Sequence, residues 1–562
     1  MPKRCSDNSL ADVPPSKRAR TNEDGRIDRL SSLSDELLLH ILSFLPRPSL
    51  ITCQRVSRRF YALGGDSELW KRQYYTRWVR PRARRLANAR RATLPLSRVE
   101  YSPRVSTWLD HSHLAGEGNA TNWKRQYRLR HNWARGICRL TEIELPQPSQ
   151  PSMLVELCAG LVFTADESYG LRAWTAKDPQ SCVASISLAD LQTKSKRNCR
   201  ATPTALTATR CQGRNAVEIG VGFQDGGFNL YSLDLEASRL RLRLGHIGSA
   251  DGTITAMASS SPYLLTVTQH KALSLYEIPV EPPVPGKAEG PRQLASLRAD
   301  SLVAPISLSL RTTASEIIAS IVYSFFHLGC AWSLGIQELR LDKSGQQIGS
   351  QLATTVDSQY GRTPLQGLSR LGRPHSTSDA SPLSSRLRFV PTEASIVHQE
   401  PPTSISYSHP YLLTSHADNT LTMYLVVSTS ESLFIRSGQR LWGHTSSVSA
   451  VQVSDRGKAV SVSARGDEIR IWELESAVSL FGMPKEVKEE NSIAITPENR
   501  QDRDQKAGAM RGTADWKVET GGLRAGEAVE RMRKRVGFDE ERVLLVRERE
   551  VGRQLLECYD FT

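Results

Sequence analysis

Residues 33–70 read LSDELLLHILSFLPRPSLITCQRVSRRFYALGGDSELW, and they carry more apolar surface than a unit of that size can bury. Ser34 is placed to N-cap a helix, Asp35 and Glu36 suit the positive end of its first turn, and Leu37, Leu38, Ile41, Leu42 and Leu45 follow at helical spacing. Pro46 and Pro48 end that helix. A second is expected from about Ser49, with Leu50, Cys53, Val56, Phe60 and Leu63 along one stripe, until Gly64 and Gly65 break it. Asp66 caps a third, which carries Leu69, Trp70, Tyr74 and Trp78. Leu39 and Phe44 make the first helix apolar over more than one core-facing stripe. The excess calls for a partner surface.

The pattern resembles an F-box: Leu33, a Glu-Leu pair, Ile41-Leu42-Ser43-Phe44-Leu45, a proline, Leu50, Val56-Ser57-Arg58 and a closing Leu69-Trp70. Ser34 stands where that family usually has proline, a small departure because Ser caps a helix as well as Pro starts one. The resemblance implies binding to a Skp-type adaptor that hangs from a cullin scaffold of a ubiquitin-protein ligase. The expected adaptor contacts are Leu37, Leu38, Ile41, Leu42, Leu45, Pro46, Leu50 and Val56, with Phe60, Leu63, Leu69 and Trp70 divided between that interface and the F-box core.

The 562 residues leave room for several domains, and 39% apolar content is enough for real cores. Nine scattered cysteines with no CxxC read as reduced thiols in cytosol or nucleus, without a zinc site. The first 28 residues read as a disordered basic tail without a secretory h-region. In it Lys3-Arg4 and Lys17-Arg18-Ala19-Arg20 resemble a bipartite nuclear-import signal, so nucleus, cytoplasm or both are expected. Ile317–Ile336 carries no formal charge and is long enough to span a membrane, but His327, two glycines and several serines favour a pair of buried strands.

Residues 71–135 form a basic, aromatic stretch expected to be a helical stem. Trp70-Lys71-Arg72-Gln73-Tyr74 is echoed by Trp123-Lys124-Arg125-Gln126-Tyr127, and each copy reaches a further tryptophan, Trp78 and Trp133. Between them Arg82, Arg84, Arg85, Arg90 and Arg91 would be solvated or meet nucleic acid or an acidic partner, a reading that the net charge of +14 permits.

From Gly136 the pattern becomes alternating and β-rich. Leu441–Glu475 resembles one WD repeat, with Gly443-His444, three strand-like segments and a turn carrying Asp467. That resemblance implies a structural relay from Asp467 and His444 through Ser461 or Ser463 to Trp472. A third-strand aromatic recurs at Trp174, Tyr231, Tyr276, Tyr424, Trp472 and Tyr559, and the uncharged stretch Ile317–Ile336 fills the remaining gap. Seven blades result, with Gly136–Leu145 expected to supply the outer strand of the last one. The fold expected is therefore multidomain: an α-helical F-box and stem, then an all-β seven-bladed propeller over 136–562, with disordered insertions near 357–391 and 484–526.

F-box proteins with WD repeats typically read a short substrate peptide with arginines on the face bearing the second-to-third-strand turns. Arg465 fits that pattern with one residue inserted. The inner-strand positions that carry arginines in phosphopeptide-binding members are Ser449, Thr255 and Ser406 here, which argues against phosphate recognition. No P-loop, GxSxG, HExxH or catalytic-cysteine motif occurs. The expectation is a non-catalytic substrate receptor of an SCF-type ubiquitin ligase, without metal or cofactor, binding a Skp-type adaptor, a cullin through it, and a target protein. Two alternatives stay open: an F-box scaffold outside a ligase, and a nucleic-acid-associated propeller using the basic stem.

Overall fold

Four short helices built around Leu42, Leu50, Leu69 and Trp70 open the computed structural model. It describes residues 30, 32–80, 121–144, 153–175, 182–188, 202–211, 215–248, 251–279, 290–298, 303–313, 315–359, 396–436, 438–464, 468–474, 492–497, 536–549 and 553–562. The chain forms two units, Met1–Arg82 with Leu114–Tyr127, and Ala83–His113 with Arg128–Thr562.

In the first unit the helices are α1 (Asp35–Ser43), α2 (Arg47–Cys53), α3 (Arg58–Gly64) and α4 (Ser67–Tyr74). Ser34 precedes α1 in extended backbone but makes no side-chain cap bond to it. Instead its hydroxyl bonds the Glu36 carboxylate, which helps hold that group below the ordinary carboxylate range after the stronger effect of its own backbone N–H. The single helix expected from Ser49 to Leu63 is two, because Ser57 adopts extended backbone and its hydroxyl accepts the Phe60 N–H at 3.2 Å, starting α3 afresh. Asp66 caps α4 as expected, accepting from the N–H groups of Glu68 and Leu69. Arg59 ties α3 to α1 through Asp35 Oδ1 at 2.6 Å and the Leu33 carbonyl oxygen at 2.6 Å.

The echoed WKRQY segments do not form a separate stem among the described residues. The first is α4 itself, and the second opens α5 (Trp123–Trp133), whose residues up to Tyr127 complete the first unit. Their rings interleave: Trp70 meets Tyr127 at 5.2 Å between centroids, Tyr74 meets Trp123 at 5.5 Å, and Trp78 meets Tyr127 at 4.7 Å. A unit this small gains from those large side chains the core that three helices alone lack.

The second unit is a ring of seven antiparallel sheets. In chain order the first strands of the blades begin at Leu154, Pro203, Ile254, Val303, Ser404, Val448 and Val536. Successive first strands touch one another, and the last touches the first, so the ring is closed. Ile137–Glu144 supplies the outer strand of the seventh blade, pairing antiparallel with Arg553–Asp560 from Arg139↔Asp560 to Glu144↔Leu555. An unexpected strand, Thr496–Pro497, lies parallel on its other edge. Gly136 sits at φ +66, where an added Cβ would drive into the carbonyl oxygen of Ala494. Trp133, from the part of α5 that belongs to this unit, stacks on Phe561 at 4.0 Å and donates to the Glu540 carbonyl at 2.8 Å.

Ile317–Ile336 lies in the two middle strands of the fourth blade, Glu316–His327 and Ala331–Asp342. No described helix is long and apolar enough to cross a membrane. The expected insertions near 357–391 and 484–526 fall almost wholly outside the described residues. So do the basic tail with Lys3, Arg4, Lys17, Arg18 and Arg20, the Arg82–Arg91 cluster, Arg465 and Asp467.

Candidate functional site

Helix α1 separates its leucines by geometry. At 100° per residue, positions 37, 41 and 44 share one stripe and positions 38 and 42 another. Leu38 and Leu42 are 1% and 2% exposed, whereas Leu37, Ile41 and Phe44 are 53%, 43% and 67% exposed. Ile51, Val56 and Tyr61, on α2, its exit and α3, are exposed as well. A small unit thus shows water a set of large apolar side chains, all from its first three helices, which is the signature of a surface meant to be covered.

Of the expected adaptor contacts, Leu37, Ile41, Pro46 and Val56 are exposed, and Leu45, Phe60 and Leu63 are half-buried. Leu38, Leu42 and Leu50 differ from the exposed set: they are buried inside the unit, Leu50 completely, and hold the helices together. Leu69 and Trp70 are core too, and the Trp70 indole N–H donates to the Gly64 carbonyl at 2.9 Å, fixing the turn between α3 and α4. Phe44, Ile51 and Tyr61 were absent from the expected set. The 37-41-44 spacing was the available signal for Phe44.

His444, Ser461 and Trp472 of the expected blade relay are brought together. His444 Nε2 lies 2.6 Å from Ser461 Oγ, and the Trp472 indole N–H donates to the same oxygen at 2.7 Å. Glu468 Oε2 lies 3.3 Å from His444 Nδ1, while the expected Asp467 lies outside the described residues. The Ser463 hydroxyl accepts the Glu468 backbone N–H at 3.1 Å. Burial alone would raise the Glu468 pKa, but bonds from the Thr445 N–H, Arg470 and the Thr445 hydroxyl, with His444 close by, hold it at about 2. All of these groups face one another, so the cluster locks the blade and leaves no reactive group free.

Among the described residues no three His, Cys, Asp or Glu side chains come together as a metal cage. Burial pushes the thiols of Cys158 and Cys558 up to about 12, the reverse of an activated nucleophile.

An F-box-like family matches residues 30–76, and the F-box protein pof12 beta-propeller family matches residues 138–562. F-box protein pof12 of Schizosaccharomyces pombe is 35% identical over 91 residues, 16% of this chain and 21% of that protein. F-box protein dre-1 of Caenorhabditis elegans is 38% identical over 60 residues, 11% of this chain and 6% of that one. The aligned stretches therefore span about a fifth or less of these curated relatives. The crystal structure of the C-terminal WD40 domain of Sif2 overlays with a TM-score of 0.32 at 11% identity, over 60% of this chain and 73% of that one. The propeller match covers well over half of the sequence and the F-box-like match precedes it, and on these grounds the chain belongs to the family of F-box protein pof12 beta-propellers.

Proposed function

We propose that this protein is the substrate-recognition subunit of an SCF-type ubiquitin ligase. The observation that carries the reading is the exposed stripe Leu37, Ile41 and Phe44 on a unit whose own core is already filled by Leu38, Leu42 and Leu50. A Skp-type adaptor covers that stripe and connects the chain to a cullin, while the propeller holds the target protein. The chain contributes no chemistry of its own. Its effect is proximity, since tethering raises the effective concentration of target lysines near the charged ubiquitin thioester.

Reconstitution tests this directly. The purified chain is mixed with adaptor, cullin, RING protein, conjugating enzyme and ubiquitin. The reading expects one complex that elutes together and supports ubiquitin transfer to whatever the propeller holds, starting with the chain itself. A chain that binds adaptor but never retains cullin would instead be a scaffold outside a ligase.

A further inference from the structure

Taking a guanidinium out of water is costly unless an acid accompanies it. The buried or half-buried arginines Arg172, Arg243, Arg311, Arg340, Arg470 and Arg542 each pair with a carboxylate. Arg440 does not. It is half-buried in the strand Gln439–Leu441, which pairs with the third strand of the fifth blade. Its Nε is shut off from solvent without a partner, and its guanidinium has no hydrogen bond or ion pair to any described residue. It lies 5.7 Å from the centroid of the Trp442 ring, and Trp442 is 58% exposed.

The surroundings of Arg440 are polar and already in place. Thr414, Thr422 and Arg440 stand opposite one another across three strands, Thr414↔Thr422 and Thr422↔Arg440, so their side chains share one face of the blade. Against that face lie His398 and His416, both more than nine-tenths buried, with rings stacked at 3.8 Å. His398 Nε2 is 3.3 Å from the Thr422 hydroxyl and 3.4 Å from that of Tyr424, and His416 Nε2 is 2.9 Å from the Thr414 hydroxyl. The Nδ1 atoms of both rings have no partner among the described residues. The charge of Arg440 reaches both rings. Asp418, the acid that opposes it there, accepts from the N–H and hydroxyl of Thr420 and makes no ion pair with Arg440. Both neighbouring blades fix the stack: the His398 carbonyl accepts the Trp332 N–H at 3.0 Å and the His416 carbonyl the Val448 N–H at 3.4 Å.

We propose that this cluster is an oxyanion subsite of the propeller, in which Arg440 holds a carboxylate or a phosphate ester beside Trp442 and the His398–His416 stack. The anion gives the guanidinium the counter-charge that no described residue supplies, through bonds stronger than neutral ones. The fixed positive charge of Arg440 also decides the ligand class, since it repels a metal ion from the two histidines. The cluster stands at the end of the fifth blade that carries its second-to-third-strand turn, between Ser415 and Leu421. Its carrier is an acidic or phosphorylated side chain of the target, an assignment that rests on the reading of the propeller as target-holding. The subsite itself does not depend on that reading. Ser449, Thr255 and Ser406 leave the inner strands without arginine, and the anion is taken instead on an outer strand.

The test titrates the full-length chain, at neutral pH and constant ionic strength, with inorganic phosphate, N-acetyl-phosphoserine amide and N-acetyl-glutamate amide. Binding is read as the emission of Trp442, obtained by difference from W442F, in wild type, R440K and R440Q. A saturable change with at least one capped amino acid is expected in wild type, with affinity partly kept in R440K and reduced about tenfold or more in R440Q. The same ligand should raise the thermal midpoint of wild type and leave that of R440Q where it is. R440Q removes no hydrogen bond or ion pair to a described residue, so its midpoint without ligand does not fall. No saturable response to any probe, or equal affinity in R440Q, would overturn the subsite. A response to inorganic phosphate with none to either capped amino acid would overturn its assignment to a target side chain. Adaptor binding is measured on the same preparations. Its absence in wild type, with the probes still bound, would end the ligase reading and leave the subsite standing.

Discussion

Leu37 and Leu38 are consecutive in the chain, yet one is 53% exposed and the other 1%. Helical rotation alone separates them, and it assigns them opposite duties. Leu38→Ala or Leu42→Ala opens a cavity in a small core and lowers stability by ~2–5 kcal/mol. Leu37→Ala or Ile41→Ala leaves stability within about 0.5 kcal/mol. Chemical denaturation of residues 30–80 with 121–127, followed in the full chain by fluorescence of Trp70 and its neighbours, measures the difference.

The blade relay makes a second prediction. Ser461→Ala strands the Trp472 indole N–H, on a residue only 1% exposed, and takes from His444 its partner at Nε2. An unsatisfied buried donor costs ~1–3 kcal/mol, so the propeller's thermal midpoint should fall. Glu468→Gln leaves the bond from the Trp472 indole to Ser461 in place and should lower the midpoint less. Equal losses from both substitutions would contradict the assignment.

Acid should loosen the propeller in two stages. His398 and His416 stack at 3.8 Å, both buried. Burial lowers them to about 4 and about 3, with Arg440 adding to the effect on His398 and the His398 ring to that on His416, while Asp418 opposes both. Unfolded histidines take up protons near pH 6.5 and these do not, so the stability they hold above 6.5 is lost as pH falls from 6.5 toward 4. Glu468, depressed from 4.5 to about 2, contributes fully above 4.5, and that contribution disappears between 4.5 and 2. Thermal midpoints measured from pH 8 to 3 should decline first in the histidine window, and His416→Gln should flatten that part alone.

Closure of the ring yields the fourth prediction. The strand Ile137–Glu144 meets Arg553–Asp560, and Gly136 allows the chain to turn into it at φ +66. Gly136→Ala combines a left-handed backbone with a clash on Ala494, a cost of order 1–3 kcal/mol. Phe561→Ala removes the stacking partner of Trp133. Both variants should become sensitive to limited proteolysis near residues 137–144 while the F-box helices stay protected.

Much of this was legible in the sequence because its signals are periodic. The leucines of α1 gave the helix, the recurring aromatics gave the third strands, and one unassigned alternating segment gave the closing strand. What failed to show has local causes. Ser57 splits a helix whose apolar stripe runs on unbroken, since a cap bond overrides periodicity at a single residue. Leu37, Leu38, Ile41 and Leu42 were all assigned to the adaptor, although a 100° step divides Leu37 from Leu38. The WKRQY echoes pack on each other across a chain separation that no local pattern reveals. Glu468 beside His444 was not expected, because a turn acid one position along carries no periodic signal.

The measurement that bears most directly on the account is calorimetric titration of a purified Skp-type adaptor into wild type, L37E/I41E and L38A. The account predicts tight binding to wild type and to whatever fraction of L38A is folded. It predicts loss of at least a hundredfold in L37E/I41E, whose far-ultraviolet spectrum and melting profile stay those of wild type, since two central anchors typically cost ~2 kcal/mol or more each. Undiminished binding by L37E/I41E would contradict it.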